Sequence, residues 1–192
     1  MRRGEKARSP DTTQTEWWTP RWLFESLEEA VPGLQFDLDP CSPGLAHTSW
    51  IPATRAFTKA DDGLTAPWPA GAFVWLNPPY TRGDDEDSTG TGAWLARFNA
   101  HCAAGGDGLA LVFERPDAGW FQRQVFEDRA IGRILWLKAR VGFVDGAAVL
   151  AGGEAAAVPG TGTGSVLVAG GPVGEGVLRA LVARFPLCGV LR

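Results

Sequence analysis

The sequence contains little of what supports metal or disulfide chemistry, with only three cysteines and two histidines in 192 residues. Cys41, Cys102 and Cys188 are widely spaced and form no CxxC pair, which indicates reduced thiols in a cytoplasm rather than a disulfide framework or a zinc site. His47 and His101 have no partners at a metal-like spacing, so we predict no metal. An enzyme of this composition would have to depend on a cofactor, on carboxylates and on backbone groups.

The sequence also lacks a long apolar run, since no stretch approaches the roughly 20 apolar residues that span a bilayer. Residues 1–10 are basic, but no apolar run follows them, so we predict no secretory signal. The formal net charge of −4 shows none of the basic excess that is usual in nucleic-acid-binding proteins. Charge by itself favours a mixed, solvated surface, although the cations between residues 129 and 140 leave room for a locally basic face.

The order of the apolar segments predicts a protein of the α/β class. Apolar residues at helical spacing predict helices at 20–31, 94–104, 118–128 and 177–185. Apolar runs of strand type predict strands at 34–39, 73–77, 109–113, 134–137, 141–144 and 165–169. Strands that alternate with helices imply a mainly parallel sheet flanked by helices. We expect a flexible segment over residues 1–16 and a single domain over residues 17–192.

The first helix is predicted from its capping residues. Thr19 is expected at the N-cap and Pro20 at the first helical position, with Trp22 and Leu23 among the residues of the buried face. Residues 41–72 are rich in Pro, Thr and Ala and are predicted to be irregular.

The most informative segment is Asn77-Pro78-Pro79-Tyr80, which directly follows an apolar strand. Methylation of an aromatic amine is difficult because the nitrogen lone pair is delocalised into the ring. Two acceptors that take hydrogen bonds from the amine draw the nitrogen toward tetrahedral geometry, and the Asn77 side-chain oxygen and the Pro78 carbonyl are two such acceptors. The prolines stiffen the segment that holds them, and Tyr80 offers a ring on which a base can stack. The alternative interpretation is a strand that ends in a proline turn, with Tyr80 in the core.

Carboxylates end another predicted strand, in Asp37-Leu38-Asp39-Pro40. In parallel sheets ligands bind beyond the carboxyl ends of the strands, so Asp37 and Asp39 are candidates for binding a ligand. The alternative is that Asp37 is an exposed acid on one face of the strand and that Asp39 forms a turn before Pro40.

Several segments together give the chain a resemblance to a known family. They are Trp18-Thr19-Pro20, Phe36-Asp37-Leu38-Asp39-Pro40, Asp62-Gly63-Leu64 followed by Trp68, Val74 to Tyr80, Arg115-Pro116-Asp117 with Trp120-Phe121, Arg140-Val141-Gly142-Phe143, and Gly164 to Val168. In this order the chain resembles the bacteriophage-type DNA N6-adenine methyltransferases, the Dam family of phages. The resemblance implies a Rossmann-like fold dependent on S-adenosylmethionine, with Asn77, Pro78, Pro79 and Tyr80 as catalytic residues.

The resemblance also implies a set of cofactor-binding residues. Trp18, Thr19 and Pro20 would lie beside the methionine part of S-adenosylmethionine, and Asp37, Asp39 and Pro40 where the family binds its ammonium group and ribose. Asp62 would accept a hydrogen bond from the cofactor's adenine amine. The glycine-rich loop of larger methyltransferases is replaced here by Asp-Pro-Cys-Ser-Pro-Gly, as far as Gly44.

DNA is the partner that the resemblance implies, in the cytoplasm of a bacterial host. The target adenine would be flipped out of the duplex, because its amine cannot otherwise reach the cofactor. Arg115, Lys138 and Arg140 are candidates for phosphate contacts, and each could equally form surface ion pairs.

Two further classes of function remain open from the residues alone. The same tetrapeptide serves cytosine N4 and protein glutamine methyltransferases, since each target nitrogen is conjugated. A DNA-binding module without turnover is the alternative outside enzymes.

Overall fold

A computed structural model describes residues 17–44, 50–80, 90–138, 140–146, 149, 163–186 and 189–191. The predicted flexible segment 1–16 lies outside the described residues, as do His47 and Cys188.

Nine strands and four helices make up the described parts of the chain. The strands are β1 (Trp17–Trp18), β2 (Phe36–Asp39), β3 (Ala53–Ala56), β4 (Phe73–Leu76), β5 (Asp107–Phe113), β6 (Ile131–Leu137), β7 (Val144–Asp145), β8 (Ser165–Gly170) and β9 (Gly189–Leu191). The helices are α1 (Arg21–Ala30), α2 (Thr91–Ala103), the short α3 (Gly119–Phe121), which continues as a π-helix over Gln122–Glu127, and α4 (Gly171–Arg184). None of these helices is both long and apolar enough to cross a membrane.

Seven of the strands form one sheet, in the order β3-β2-β4-β5-β8-β6-β9. The first four strands run parallel to one another. Strand β8 is antiparallel to both of its neighbours, so β6 runs in the direction of β5, and β9 is antiparallel to β6. Strands β1 and β7 form a separate antiparallel pair. The prediction of a mainly parallel sheet is confirmed.

Helices cover both faces of the sheet because its central strands are apolar on both sides. Helices α1 and α4 pack on one face, where Leu23, Leu27 and Leu178 are almost fully buried. Helix α2 and the segment that contains α3 cover the other face, with Phe98 and Phe121 at its centre. Trp94 and Trp120, whose helical spacing predicts core positions, are 7% and 9% exposed. The apolar pattern thus predicts the layers correctly.

The first helix begins later than its capping residues suggest. Its N-cap is Pro20, in an extended conformation and without a side-chain capping bond, and Thr19 lies fully buried outside the helix. The indole of Trp50 donates to the Thr19 carbonyl at 3.2 Å and so fixes this residue from a distant part of the chain. Trp22 is 46% exposed rather than part of the buried face, which Leu23 and Phe24 occupy.

Two predicted elements differ from the structure for tertiary reasons. Helix α4 begins at Gly171, six residues before the predicted start, and the Asp107 carboxylate accepts a hydrogen bond from the Val173 N–H at 2.6 Å in its first turn. The predicted strand at 141–144 is reduced to Val144–Asp145, because Val141 and Phe143 are buried in the core instead of pairing.

Three further elements lie where the sequence predicts none or a different one. Strand β3 lies within the segment predicted to be irregular, and its mostly polar residues suit an edge strand with one partner. Strand β9 closes the opposite edge. The predicted helix at 118–128 is one α-helical turn followed by a π-helix.

Candidate active site

The carboxyl ends of β2, β4 and β5 lie side by side in the sheet. Leu38 pairs with Val74, and Leu76 pairs with Ala110. Strand β5 continues for three residues beyond this last pair, to Phe113, so Leu111 lies level with the first residue after β4. The residues that follow β2 and β4 therefore share one edge, as expected for a parallel sheet.

Asn77 is the first residue beyond β4, and both ends of its side-chain amide are engaged. Its Nδ2 donates to the Trp17 carbonyl at 2.9 Å. Its Oδ1 lies 2.8 Å from the Tyr80 hydroxyl, which donates to it. The half-buried Asn77 thus joins the end of β4 to the β1 segment, 60 residues away in the chain.

The two prolines fix the backbone that follows Asn77. Pro78 is buried and Pro79 is half-buried. The Thr91 hydroxyl, in the first turn of α2, donates to the Pro79 carbonyl at 3.2 Å. Among the described residues no donor reaches the Pro78 carbonyl. The structure therefore holds this segment from the side of α2.

Tyr80 packs into the periphery of the core. Its ring stacks on Phe113 with centroids 3.8 Å apart, and Phe143 meets it edge-on at 5.6 Å. Its hydroxyl lies 2.9 Å from the carbonyl of Leu111. Leu111 follows the last residue of β5 that pairs with β4. Burial raises the pKa of the Tyr80 hydroxyl well above its ordinary value of 10.0, so the hydroxyl keeps its proton at neutral pH and can donate a hydrogen bond. Packing against Phe113 therefore occupies one face of the ring.

Asp39, the last residue of β2, is a buried carboxylate with 2% exposure. Its Oδ1 accepts a hydrogen bond from the Cys41 N–H at 3.0 Å. Within the described residues no cationic side chain forms an ion pair with it. Desolvation raises its pKa from 3.8 to about 7, against the lowering effect of the Cys41 hydrogen bond. Such a carboxylate suits a cation or hydroxyl groups brought by a ligand.

Asp37 lies in a different environment from Asp39. It is exposed, and its Oδ2 accepts a hydrogen bond from the Phe73 N–H at 2.7 Å, at the start of β4. This bond joins β2 to β4 on the side away from Asn77. Asp37 is therefore an exposed acid whose carboxylate has a backbone partner at the start of β4.

Asp62 lies in a tight turn that packs against the segment after Asp39. A side chain on Gly63 would place its Cβ 1.9 Å from the Pro40 carbonyl oxygen, so only glycine fits there. Asp62 has a positive φ of 49°, and its Oδ2 accepts a hydrogen bond from the Thr65 hydroxyl at 2.7 Å. The fold thus brings Asp62 close to the end of β2.

The Trp18-Thr19-Pro20 segment is buried. Strand β1, which contains Trp18, pairs with β7, and a Cβ at Gly146 would meet the Trp18 indole nitrogen at 2.3 Å. The segment therefore lies between β7 and the end of β4, because the neighbouring Trp17 carbonyl contacts Asn77.

The three candidate DNA contacts are exposed. Arg115 follows β5, and its guanidinium lies 3.7 Å from Asp117 in an open ion pair. Lys138 follows β6, which runs in the direction of β5, and Arg140 lies two residues further along. All three cations are on segments beyond the same edge of the sheet as Asn77.

Several residues that complete the site have no predictive pattern in the sequence. The carbonyl oxygens of Trp17 and Leu111 act through the backbone, which no residue type reveals. Phe113 ends an apolar strand and reads simply as core. Cys41 lies close enough to Asp39 and Tyr80 for electrostatic interaction with both, and only its position after Asp39 could have drawn attention to it.

The site combines an Asn-Pro-Pro-Tyr segment at one strand end with a buried carboxylate at the neighbouring strand end, for which the described residues provide no ion-pair partner. Residues 6–170 match the family model described as Dam, DNA N-6-adenine-methyltransferase, and the chain belongs to this family. Membership places the chain among the DNA adenine methyltransferases. A comparison with curated proteins gave no match.

Proposed function

We propose that this protein transfers a methyl group from S-adenosylmethionine to the exocyclic amine of an adenine that is flipped out of DNA. The observation that carries the proposal is the Asn77 amide, whose nitrogen is tied to the Trp17 carbonyl at 2.9 Å. This bond turns the amide oxygen away from Trp17 and makes it the acceptor for a substrate amine.

Methylation of the adenine amine depends on hydrogen-bond acceptors more than on a general base. An adenine amine is a weak nucleophile because its lone pair is conjugated with the ring. Hydrogen bonds from its two N–H groups to Asn77 Oδ1 and to the Pro78 carbonyl would localise that lone pair on nitrogen. Both acceptors belong to a segment fixed by two prolines and by Thr91, so no reorganisation is needed when the amine arrives.

The base would have to leave the duplex, because the two acceptors lie at a sheet edge that a stacked base cannot reach. Flipping costs a few kcal/mol, and base–aromatic stacking of about 1–3 kcal/mol offsets part of it. Since Phe113 covers one face of Tyr80, a stacked base would take the opposite face.

The residues at the end of β2 fit the cofactor. S-adenosylmethionine, when bound, supplies an electrophilic methyl group on a sulfonium. Asp39 is a buried carboxylate that a ribose or an ammonium group would satisfy, Pro40 fixes the turn after it, and Asp62 is held beside this turn by Gly63. Trp18, Thr19 and Pro20 would close the site from the side of β1. The sheet order, with β8 reversed between two strands of common direction, suits the Rossmann-like fold expected of such enzymes.

DNA would approach the edge of the sheet that Arg115, Lys138 and Arg140 follow. These cations are exposed and can reach phosphates, while the net charge of −4 limits non-specific attraction to DNA.

The proposal is tested by identifying the methylated product. The full chain is incubated with adenine-containing DNA and S-adenosylmethionine labelled at the methyl group, and the DNA is digested to nucleosides for mass spectrometry. We expect label in N6-methyladenine. Label in N4-methylcytosine, or in glutamine of added protein, would replace the substrate. Cofactor binding without any label transfer would identify a binding module.

A further inference from the structure

We propose that Tyr80 is a positioning residue, whose hydroxyl fixes the Asn77 amide jointly with the Trp17 carbonyl before substrate arrives. The inference rests on the proposed function, and it concerns the hydroxyl rather than the ring. The Tyr80 hydroxyl lies 2.8 Å from Asn77 Oδ1, and Asn77 Nδ2 lies 2.9 Å from the Trp17 carbonyl.

The Trp17 contact determines which way the amide faces, and the Tyr80 hydroxyl, which donates to Oδ1, holds it there. Nδ2 can only donate and Oδ1 can only accept. A half-turn of the amide would place Oδ1 against the Trp17 carbonyl, so that two acceptors would face each other, and it would turn Nδ2 toward the substrate. The observed orientation satisfies both ends. Because Oδ1 has two lone pairs, the Tyr80 hydroxyl can occupy one while a substrate amine takes the other.

The Tyr80 hydroxyl is itself held in place from several sides. The ring is stacked on Phe113 at 3.8 Å and bounded by Phe143. The Leu111 carbonyl is a second acceptor for the hydroxyl at 2.9 Å. Leu111 lies one residue beyond the last pair of β4 with β5, so it has no pairing residue in β4. The ring packing and the Leu111 contact therefore keep the hydroxyl within hydrogen-bonding distance of Asn77 Oδ1, to which we assign its single proton.

The same geometry explains why asparagine, rather than aspartate, suits position 77. A carboxylate would have no N–H to donate to the Trp17 carbonyl, and its second oxygen would be repelled there. A protonated carboxyl group could donate to that carbonyl, so an aspartate at this position would be matched to its surroundings only at low pH.

The first experiment compares wild type with Tyr80→Phe, which retains the ring that packs on Phe113. We expect kcat to fall about two- to tenfold, the loss of one net hydrogen bond, with KM for DNA and cofactor affinity within twofold of wild type. Asn99→Leu is the control, because it removes a buried hydrogen bond from Asn99 to the Gln124 carbonyl, between α2 and the π-helix. It should lower the melting temperature without lowering kcat.

The second experiment uses Asn77→Asp with Asn99→Asp as the matched control. At saturating cofactor, the kcat of Asn77→Asp relative to wild type should rise as pH falls, whereas the relative kcat of Asn99→Asp should not. An unchanged ratio across pH, or a wild-type kcat in Tyr80→Phe, would overturn the inference. A Tyr80→Phe defect confined to KM for DNA would overturn it as well, since it would assign the hydroxyl to base binding.

A third measurement does not depend on activity. The side-chain amide protons of Asn77, assigned in an NMR spectrum by their absence in Asn77→Ala, should exchange slowly with solvent in wild type and at least severalfold faster in Tyr80→Phe. Equal exchange rates refute the positioning role. If wild type shows the expected exchange but methylates no adenine, the proposed function fails while the positioning role stands.

Discussion

At the end of β2 a buried carboxylate accepts one described hydrogen bond, from the Cys41 N–H, and its pKa is raised to about 7. At the end of β4, the next strand of the sheet, both ends of the Asn77 amide are engaged, by Trp17 and Tyr80. Burial of the Asp39 carboxylate is unfavourable without a further partner, and a ligand that hydrogen-bonds to it would offset this cost. The Asn77 amide is already held in its orientation, so we expect that orientation to change little when a ligand binds. The proposed function thus assigns ligand binding to the end of one strand and a fixed geometry to the end of its neighbour.

The largest effect on activity is expected at the end of β4, where both ends of the Asn77 amide are already engaged. Asn77→Ala should lower methyl transfer at least about a hundredfold, the scale found when one preorganised polar group is removed from a catalytic site. Cofactor affinity, measured by calorimetry, should stay within twofold because Asp39 is untouched. Asn99→Ala, which removes a more deeply buried hydrogen-bonding amide on α2, should retain activity. Comparable activity in Asn77→Ala and Asn99→Ala would remove Asn77 from catalysis.

A smaller effect, on cofactor binding rather than on methyl transfer, is expected at the end of β2. Asp39→Ala should weaken S-adenosylmethionine binding by about 1.5–3 kcal/mol, the contribution of a charge-assisted hydrogen bond. Titration calorimetry measures the change, and the methyl-transfer rate at saturating cofactor should fall much less than in Asn77→Ala. Unchanged affinity in a folded variant would show that the buried charge serves something other than the cofactor.

The raised pKa of Asp39 predicts how stability depends on pH in the protein without cofactor. Between 3.8 and about 7 the folded state holds a proton that the unfolded state has released, so stability falls as pH rises through this window. The expected slope is about 1.4 kcal/mol for each pH unit near the middle of the window. Asp39→Asn can still accept from Cys41 but cannot ionise, so its advantage over wild type should grow from pH 4 to about pH 7 and then level off. Urea unfolding at a series of pH values measures the difference, and parallel curves for the two proteins would contradict the assignment.

The smallest effect is expected at an exposed residue, where neither burial nor fixed geometry strengthens an interaction. Arg115 forms an open ion pair with Asp117, with side-chain exposures of 53% and 79%. Arg115→Ala should weaken DNA binding a few-fold at low salt and reduce the slope of log affinity against log salt by about one, regardless of sequence. Arg21→Ala, on α1 and in a similarly exposed pair with Glu25, is the control. Equal salt slopes for the two variants would exclude Arg115 from phosphate contact.

The sequence alone determined the parts of this protein that depend on residue type. The alternation of apolar segments predicted the helix-covered, mainly parallel sheet, because burial on both faces demands it. The four residues from Asn77 to Tyr80 indicated amine chemistry, because prolines after an apolar strand hold two oxygens rigidly. Asp39 was identified as a candidate because it ends a strand.

The tertiary structure decided what depends on register and on the backbone. Asp37 and Asp39 are both candidates from the sequence, yet Asp37 bonds to the Phe73 N–H, while Asp39 is buried and has no ion-pair partner among the described residues. Strand β8 inserts antiparallel between β5 and β6, which no local pattern specifies. The partners that orient Asn77 and Tyr80 are carbonyls of Trp17 and Leu111. Every residue has a carbonyl, so only the folded register determines which ones reach a site.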